Sequence, residues 1–442
     1  MSKIKKISGF PEYTPAIRSI EVSWLNKIKL IFSLHGFTDI ETPSVELIES
    51  LSSKGVDVDK EIYALTRLAD SIGEEKIRFA LHYDLTVPLA RYVSQNLNEL
   101  DFPFRRSQIQ KVWRGERPQE GRYREFLQCD VDIIDNESLS LDSDYEVISV
   151  ALDALKELNI GKVGIKLNNR QILDGFYKSV GANNTTQVIR VMDKIGKISN
   201  DDIRTLLLDN LGLDQIGVEK CIEFANISVG DSSTLEDRIF SITKSNSELS
   251  RGLKELTQLL DRLKSKIGTT IDIQADMSIA RGFDYYTGMI CEGFLLDYPA
   301  YPSICAGGRY NNLIGNFSNR KLPGVGMSIG FTRIFAKMLA EGLLPRGIKT
   351  PAKVLIAKVP ESNYLNIESI ANHFRSKQVS TIVHYEEVKL AKQLRYASRL
   401  GIPYVVIGLN DSHIEVKNMV TGQQTSMMMD ELIKNIIRDD IE

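Results

Sequence analysis

The segment from Lys111 to Asp132, KVWRGERPQEGRYREFLQCDVD, gathers more reactive side chains than any other part of the chain. In its second half Tyr123, Leu127, Cys129, Val131 and Ile133 alternate with Arg122, Arg124, Phe126, Gln128, Asp130 and Asp132. A period of two puts the sets on opposite faces of a strand, predicted here over Gly121 to Ile134. One face is apolar and fits a core. The other carries arginines, a ring, an amide and acids, which suits a ligand that is anionic, planar and polar at once. Arg114, Arg117, Arg122 and Arg124 are expected to converge on one site, since guanidinium forks bind phosphate through paired hydrogen bonds. Phe126 is placed to stack on a base, Glu116 to accept from an exocyclic amine, and Gln128 and Asp132 to hold a polar amino acid. A face laced with cross-strand salt bridges is the plainer alternative.

Other segments offer chemistry with less specificity. RGFDYYTG (Arg281 to Gly288) sets Arg281 and Asp284 beside two adjacent tyrosines, which in a strand point to opposite faces. AGGRYNNL (Ala306 to Leu313) and GVGMSIGFTRI (Gly324 to Ile334) form glycine-rich strands, the second leading into a helix. They either seat an anion near the helix N-terminus beside Arg333 or allow tight packing, and they match neither phosphate-loop nor dinucleotide patterns. In YDLTVPLARYV (Tyr83 to Val93), Asp84 is either a helix cap or the partner of a substrate ammonium. On a helix near Lys389–Leu400, Lys392, Arg395 and Arg399 share a basic face, either solvated or touching nucleic acid.

Composition bounds the rest. The 442 residues are enough for two or three domains, and a net charge of −3 gives no global reason for nucleic-acid binding, so any such contact must be local. Cys129, Cys221, Cys291 and Cys305 are scattered, with no histidine at ligand spacing, which argues against a zinc site or a disulfide framework and for a reducing compartment. No segment reads as a signal peptide or a membrane span, so a cytoplasmic protein is expected.

The elements that must position these residues follow from pattern. Thr14-Pro15 opens a helix that carries Ile17, Ile20, Trp24, Ile28 and Ile31 at helical spacing and closes at His35-Gly36. Strands are predicted at Phe37–Val45, interrupted by Pro43, and at Ile77–Tyr83 and Phe104–Trp113. Hairpin connections favour an antiparallel sheet with one exposed face. Helices separated by Asn, Asp, Gly and Ser breaks occupy about 171–267. Strands return at Thr269–Ile273, Gly288–Phe294 and Gly324–Gly330, with a helix from Phe331. A linker at 344–351 leads to strands at Lys353–Ala357, Thr381–His384 and Tyr404–Ile407 alternating with helices, which predicts a mainly parallel α/β domain.

Taken in order, these segments resemble the class II aminoacyl-tRNA synthetases and, within them, the histidyl-tRNA synthetase family. FTDIETPSVE (Phe37 to Glu46) is similar to the first class motif, whose proline, here Pro43, lies at the dimer interface. The segment containing ERPQEGRYREF resembles the second motif, and GVGMSIGFTRI resembles the third with Arg333 as its arginine. RGFDYYTG and AGGRY (Ala306 to Tyr310) look like signatures of the histidine enzymes, and LHYDLTVPLARY looks like their amino-acid-binding segment. KQLRYASRLGIPYVVIG (Lys392 to Gly408) is similar to their anticodon-binding domain. His82 stands where the family usually has arginine, and Asn311-Asn312 stand in place of Asp-Gly.

The resemblance implies an α+β fold: a catalytic domain (1–343) on an antiparallel sheet flanked by helices, with the helical insertion at about 171–267. The linker (344–351) and an α/β anticodon-binding domain (352–442) complete it. It implies activation of histidine by ATP, brought with Mg²⁺ and without protein-bound zinc, then transfer to tRNA-His. Arg114 and Arg281 would be catalytic at the α-phosphate. Glu116 would meet the adenine amine, Phe126 and Arg333 would sandwich the ring, and Arg122 would join the ATP site. Asp84, Leu85, Thr86, Arg114, Gln128, Asp132, Arg281, Tyr285 and Tyr286 would surround histidine, and Gln119 and Arg124 would lie near the tRNA acceptor end. A homodimer away from any membrane is implied. The rival is a non-catalytic, synthetase-like regulatory subunit of ATP phosphoribosyltransferase. Such paralogues tend to lose the anticodon domain and the arginine and tyrosines of RGFDYYTG, which this chain has.

Overall fold

The computed structural model describes residues 5–51, 60–67, 78–280, 286–311, 321–358, 364–410 and 413–439. The chain divides into two units, one of 1–11 with 24–343 and the other of 12–23 with 344–442. In chain order the strands of the first unit are β1 (Thr38–Asp39), β2 (Val45–Leu47), β3 (Ala64–Leu65), β4 (Phe79–Leu81), β5 (Phe104–Trp113) and β6 (Glu125–Ile134). They continue with β7 (Val163–Asn169), β8 (Ser228–Val229), β9 (Ile271–Asp276), β10 (Tyr286–Leu295), β11 (Cys305–Tyr310) and β12 (Gly324–Ile329).

Nine of these form one sheet in the order β1-β5-β6-β12-β11-β10-β7-β9-β8. Its pairings are antiparallel except β1 with β5 and β7 with β9. Two polar rows cross the middle of this sheet. Arg106 on β5 pairs with Asp132 on β6, then Gly326 on β12 and Gly308 on β11; Gln108 pairs with Asp130, Ser328 and Ala306. The odd-numbered residues of β6 (Cys129, Val131 and Ile133) are buried, as an apolar strand face should be. The helices Phe331–Ala340 and Asp142–Glu157 pack near β6 and β12. The polar face of β6 is buried too: Gln128, Asp130 and Asp132 are 8%, 3% and 4% exposed. The exposed sheet face expected from the hairpins is therefore absent along this part of β6, because the face is a covered site floor.

Three further expectations for the first unit need correcting. The strand predicted from Gly121 starts at Glu125, and Arg122 and Arg124 belong to the loop before it, where Gln119 and Arg122 form an isolated bridge. The segment Phe37–Val45 is not one strand. Thr38–Asp39 joins the large sheet, and past Pro43, Val45–Leu47 joins a separate three-stranded sheet in the order β2-β4-β3. The segment after Arg170 is not helical throughout: among its helices the short strand β8 pairs with β9 and extends the large sheet. The Asn residues at its breaks act as caps: Asn184 and Asn246 accept from the backbone N–H three residues on. His82, in the family's arginine position, is fully buried. Its Nε2 lies 2.6 Å from the Lys111 carbonyl, and its ring packs on Trp113.

In the second unit β13 (Val354–Ile356), β14 (Thr381–Val383), β15 (Tyr404–Asn410), β16 (His413–Asn418) and β17 (Gln424–Met428) form a sheet in the order β14-β13-β15-β16-β17. The first three are parallel, as expected. The hairpin β16–β17 adds two antiparallel strands and corrects the mainly parallel reading. On the helix Leu390–Leu400, Gln393 and Ala397 are buried while Lys392, Arg395 and Arg399 are exposed.

Candidate active site

A cleft of about 830 Å³ opens above β6, lined among others by Arg114, Glu116, Arg122, Phe126, Gln128 and Arg333. A smaller recess of about 270 Å³ adjoins it, lined among others by Asp130, Asp132, Tyr310, Gly308 and Gly326. The two share Thr86, Tyr286, Ala306 and Ser328 in their walls. One strand thus serves both, with Phe126 in the cleft and Asp132 in the recess.

The cleft is organised around Arg114. Its guanidinium lies 4.3 Å from the ring centre of Tyr83 and 5.1 Å from that of Phe126. Its Nε donates to the Tyr83 carbonyl at 3.3 Å. Held between two rings, the fork is oriented before any ligand arrives. Glu116 lies 4.0 Å from Arg114 and 3.6 Å from Arg122. Tyr83 in turn donates its hydroxyl to Glu61, and the Glu61 carbonyl accepts from the Gly115 N–H at 2.7 Å. Burial raises the pKa of the Tyr83 hydroxyl to about 12; burial and the nearby Glu116 push the Glu61 carboxyl up. On the far side Arg333 donates to the carbonyls of Gly121 and Ser303, so the helix Phe331–Ala340 and the loop before β6 are joined at the cleft edge.

The recess is built from glycine and acid. A Cβ on Gly326 would come within 2.1 Å of Oδ1 of Asp132, and one on Gly308 within 2.5 Å of the Tyr286 ring. The glycine-rich strands therefore leave room for neighbouring side chains to lie across the sheet. Asp132 receives the Tyr310 hydroxyl at 2.8 Å and sits 2.7 Å from the guanidinium of Arg106, which is wholly buried. Burial pushes the Asp132 carboxyl up and Arg106 opposes the rise. Gln128 donates to Ser328. Asp84 lines the cleft, and its Oδ1 accepts from the N–H groups of Thr86 and Val87. The helix-capping alternative thus holds for one of its oxygens.

Of the residues singled out in the sequence, the structure brings Asp84, Thr86, Arg114, Glu116, Arg122, Phe126, Gln128, Asp132, Tyr286 and Arg333 around these two cavities. Leu85 is fully buried in the core, and Gln119 is exposed. Arg124 donates to the Glu116 carbonyl and braces the loop. Arg281 and Tyr285 lie outside the described residues. Residues without an assigned role also contribute: Arg106, Asp130, Tyr83, Glu61, Ser328 and Tyr310. Arg106, Gln108 and Gln110 alternate along β5 as clearly as the acids do along β6, so the same period of two marks them. Arg309, within AGGRY, faces away from the recess and binds Asp144 and the carbonyls of Leu139 and Ser140.

A large, mostly antiparallel sheet flanked by helices, with a cleft and an adjoining recess over its centre, fits the class II aminoacyl-tRNA synthetase fold. A family model described as histidyl-tRNA synthetase matches residues 9–334, and one described as an anticodon binding domain matches 353–439. The histidine–tRNA ligase of Thermobifida fusca is 45% identical over 422 residues, 95% of each chain. That of Nostoc punctiforme is 34% identical over 457 residues, covering 98% of this chain and 97% of its own. A crystal structure of histidyl-tRNA synthetase from Nostoc sp. PCC 7120 superposes with a TM-score of 0.83 at 31% identity, over 99% of this chain and 100% of that one. A Bacillus halodurans structure described as an ATP phosphoribosyltransferase regulatory subunit/histidyl-tRNA synthetase shares the fold at 19% identity, with a TM-score of 0.74 over 92% of this chain and 99% of its own. The chain belongs to the histidyl-tRNA synthetase family. Among the described residues no three His, Cys, Asp or Glu side chains group to hold a metal ion, and no helix is long and apolar enough to cross a membrane.

Proposed function

We infer that the chain is a histidine–tRNA ligase, activating histidine with ATP to histidyl-adenylate and passing the acyl group to the 3′ end of tRNA-His. The observation that carries this is the adjoining of the arginine-lined cleft and the acidic recess across one strand, in a chain that aligns nearly end to end with histidine–tRNA ligases. The regulatory-subunit alternative is less supported, because the anticodon-binding family model matches residues 353–439.

In this reading the histidine carboxylate is already ionised at neutral pH and needs no general base. It attacks the α-phosphorus of Mg²⁺-bound ATP; a new P–O bond forms as the bond to the β-phosphate oxygen breaks and pyrophosphate leaves. The protein's task is alignment and neutralisation of charge on the phosphate oxygens. Arg114, fixed between Tyr83 and Phe126, supplies one guanidinium, and Arg281 is assigned the second. Glu116 takes the adenine amine, Phe126 and Arg333 the ring, and Arg122 the phosphates. Asp84, Leu85, Thr86, Gln128, Asp132, Tyr285 and Tyr286 hold histidine, Leu85 through its backbone because its side chain is buried. Gln119 and Arg124 belong to the acceptor-end contact.

The reading extends to residues 1–343 as the catalytic domain, 344–351 as linker and 352–442 as the anticodon-binding domain, in a cytoplasmic homodimer. Support for dimerisation is the open face of the small sheet, where Val45, Leu47, Leu65 and Phe79 are 36–48% exposed. The test is pyrophosphate exchange into ATP. Exchange that depends on histidine, and that Arg281→Ala abolishes without lowering the melting temperature, supports the assignment. Exchange driven equally well by another amino acid, or none at all, refutes it.

A further inference from the structure

Three buried charges lie beneath the recess, and the reaction as described uses one of them. Arg106 on β5 is wholly buried, and Asp130 and Asp132 on β6 nearly so. The guanidinium Nη2 lies 2.7 Å from Oδ2 of Asp132 and 3.8 Å from Oδ2 of Asp130. Asp132 is held at both oxygens, by Arg106 and by the Tyr310 hydroxyl. Asp130 is not: its Oδ1 is buried with no hydrogen-bond partner, and it lines the recess. One cation therefore serves two acids.

We propose that Asp130 is a positioning residue for the amino acid: by drawing on the guanidinium it shares with Asp132, it sets how firmly Arg106 holds Asp132 and how freely Asp132 accepts a hydrogen bond from histidine. This rests on the assignment of the recess to histidine. With Asp130 ionised, the three groups sum to one negative charge, which attracts a ligand bringing N–H donors and positive charge. With Asp130 protonated, Arg106 turns wholly to Asp132 and the group is neutral.

The surroundings place this switch near neutral pH. Burial raises the pKa of Asp130 to about 7; Arg106 opposes the rise, Asp132 adds to it, the Ser328 hydroxyl opposes it and Asp84 adds to it. These groups face Asp130 from β5, β6, β12 and the head of the helix Thr86–Gln95. Gln108, its partner on β5, is neutral, and Tyr310 on β11 reaches Asp132 instead.

The test uses Asp130→Asn, a same-shaped side chain that keeps the group neutral, and Asp130→Glu, which keeps the charge. Histidine KM is measured by pyrophosphate exchange from about pH 6 to pH 8 at saturating Mg²⁺-ATP, a span that also contains the titration of free histidine's own ring. Because that titration is common to all the proteins, the ratio of variant to wild-type KM is the readout. For Asp130→Asn it is expected to climb from near one at the acid end to about tenfold at the alkaline end, the scale of one charge-assisted hydrogen bond. ATP KM and kcat are expected to stay within about twofold, as for a change confined to histidine binding. Asp130→Glu should hold the ratio flatter. A ratio for Asp130→Asn that is constant with pH, or an equal loss in ATP KM, overturns the proposal.

Thermal melts read the same group without catalysis. A carboxyl whose pKa is raised on folding stabilises the protein fully below about pH 4 and loses that contribution as pH rises through about 7. Asp130→Asn should therefore gain on wild type across that range, and melts that shift in parallel overturn the shared-guanidinium arrangement. Wild-type exchange driven by a different amino acid would instead refute the histidine assignment, leaving the melts to judge Asp130.

Discussion

Gly326→Ala should weaken histidine use while sparing ATP. Gly326 stands directly across from Asp132, and a Cβ there would lie 2.1 Å from its Oδ1, 2.5 Å from its Cγ and 2.9 Å from the Val131 carbonyl. Strand β12 is hydrogen-bonded to β6 on one side and β11 on the other, so the backbone cannot retreat and the carboxylate must. A shift of about 1 Å breaks the hydrogen bond from Tyr310 and opens the contact with Arg106, and misplacement on that scale costs about a hundredfold in rate. The same figure follows from energies: losing a hydrogen bond to a charged group costs about 1.5–3 kcal/mol, and about 2.7 kcal/mol is a hundredfold in kcat/KM. The assay is pyrophosphate exchange with histidine varied at saturating ATP, then ATP varied at saturating histidine, alongside a melt. Unchanged kcat/KM for histidine, or equal losses for both substrates, would refute the reasoning.

Arg309→Met should destabilise the fold by about 3–5 kcal/mol, because it strands Asp144 as a buried acid without its cation. Burial already raises the Asp144 pKa to about 6 against the pull of Arg309, so removing the guanidinium pushes it higher and the loss in urea melts should be smaller near pH 5 than near pH 8. Tyr83→Phe keeps the ring under Arg114 and should leave ATP KM within about threefold, whereas Tyr83→Leu removes a cation–π partner and should raise it by about tenfold. Replacing Lys392, Arg395 and Arg399 together with glutamine should reduce tRNA acylation most at low salt and flatten its salt dependence, while pyrophosphate exchange stays unchanged.

What the sequence reveals and conceals divides along physical lines. Strand β5 is predicted with the bounds observed and the helix from Phe331 with the start observed, because local pattern and tertiary burial agree there. The start of β6 is misread because polar alternation runs on through Arg122 and Arg124. What ends the strand is distant: the Gly9 carbonyl accepts from the N–H groups of Arg124 and Glu125. The β16–β17 hairpin carries its own signal, since Ile414 and Val416 alternate with polar residues ahead of Gly422 at φ +77°, but it lies past the last predicted strand. The Arg106–Asp130–Asp132 group is half legible. Each strand shows its polar row, yet only the cross-strand register shows that one arginine answers two acids. Nothing local to AGGRY shows that Arg309 turns away from the recess, since Asp144 is 165 positions earlier.

Strand β6 also works as a ruler. Phe126 and Asp132 are six residues apart, roughly 20 Å along an extended chain. β6 is clamped between β5 and β12, so that distance cannot stretch. On the proposed assignment of Phe126 to adenine and Asp132 to histidine, the adenylate would be measured at both ends by one piece of backbone. A one-residue insertion between those marks would turn the acids to the opposite face. Length tolerance in this strand should be nil, even though the loop before it can vary.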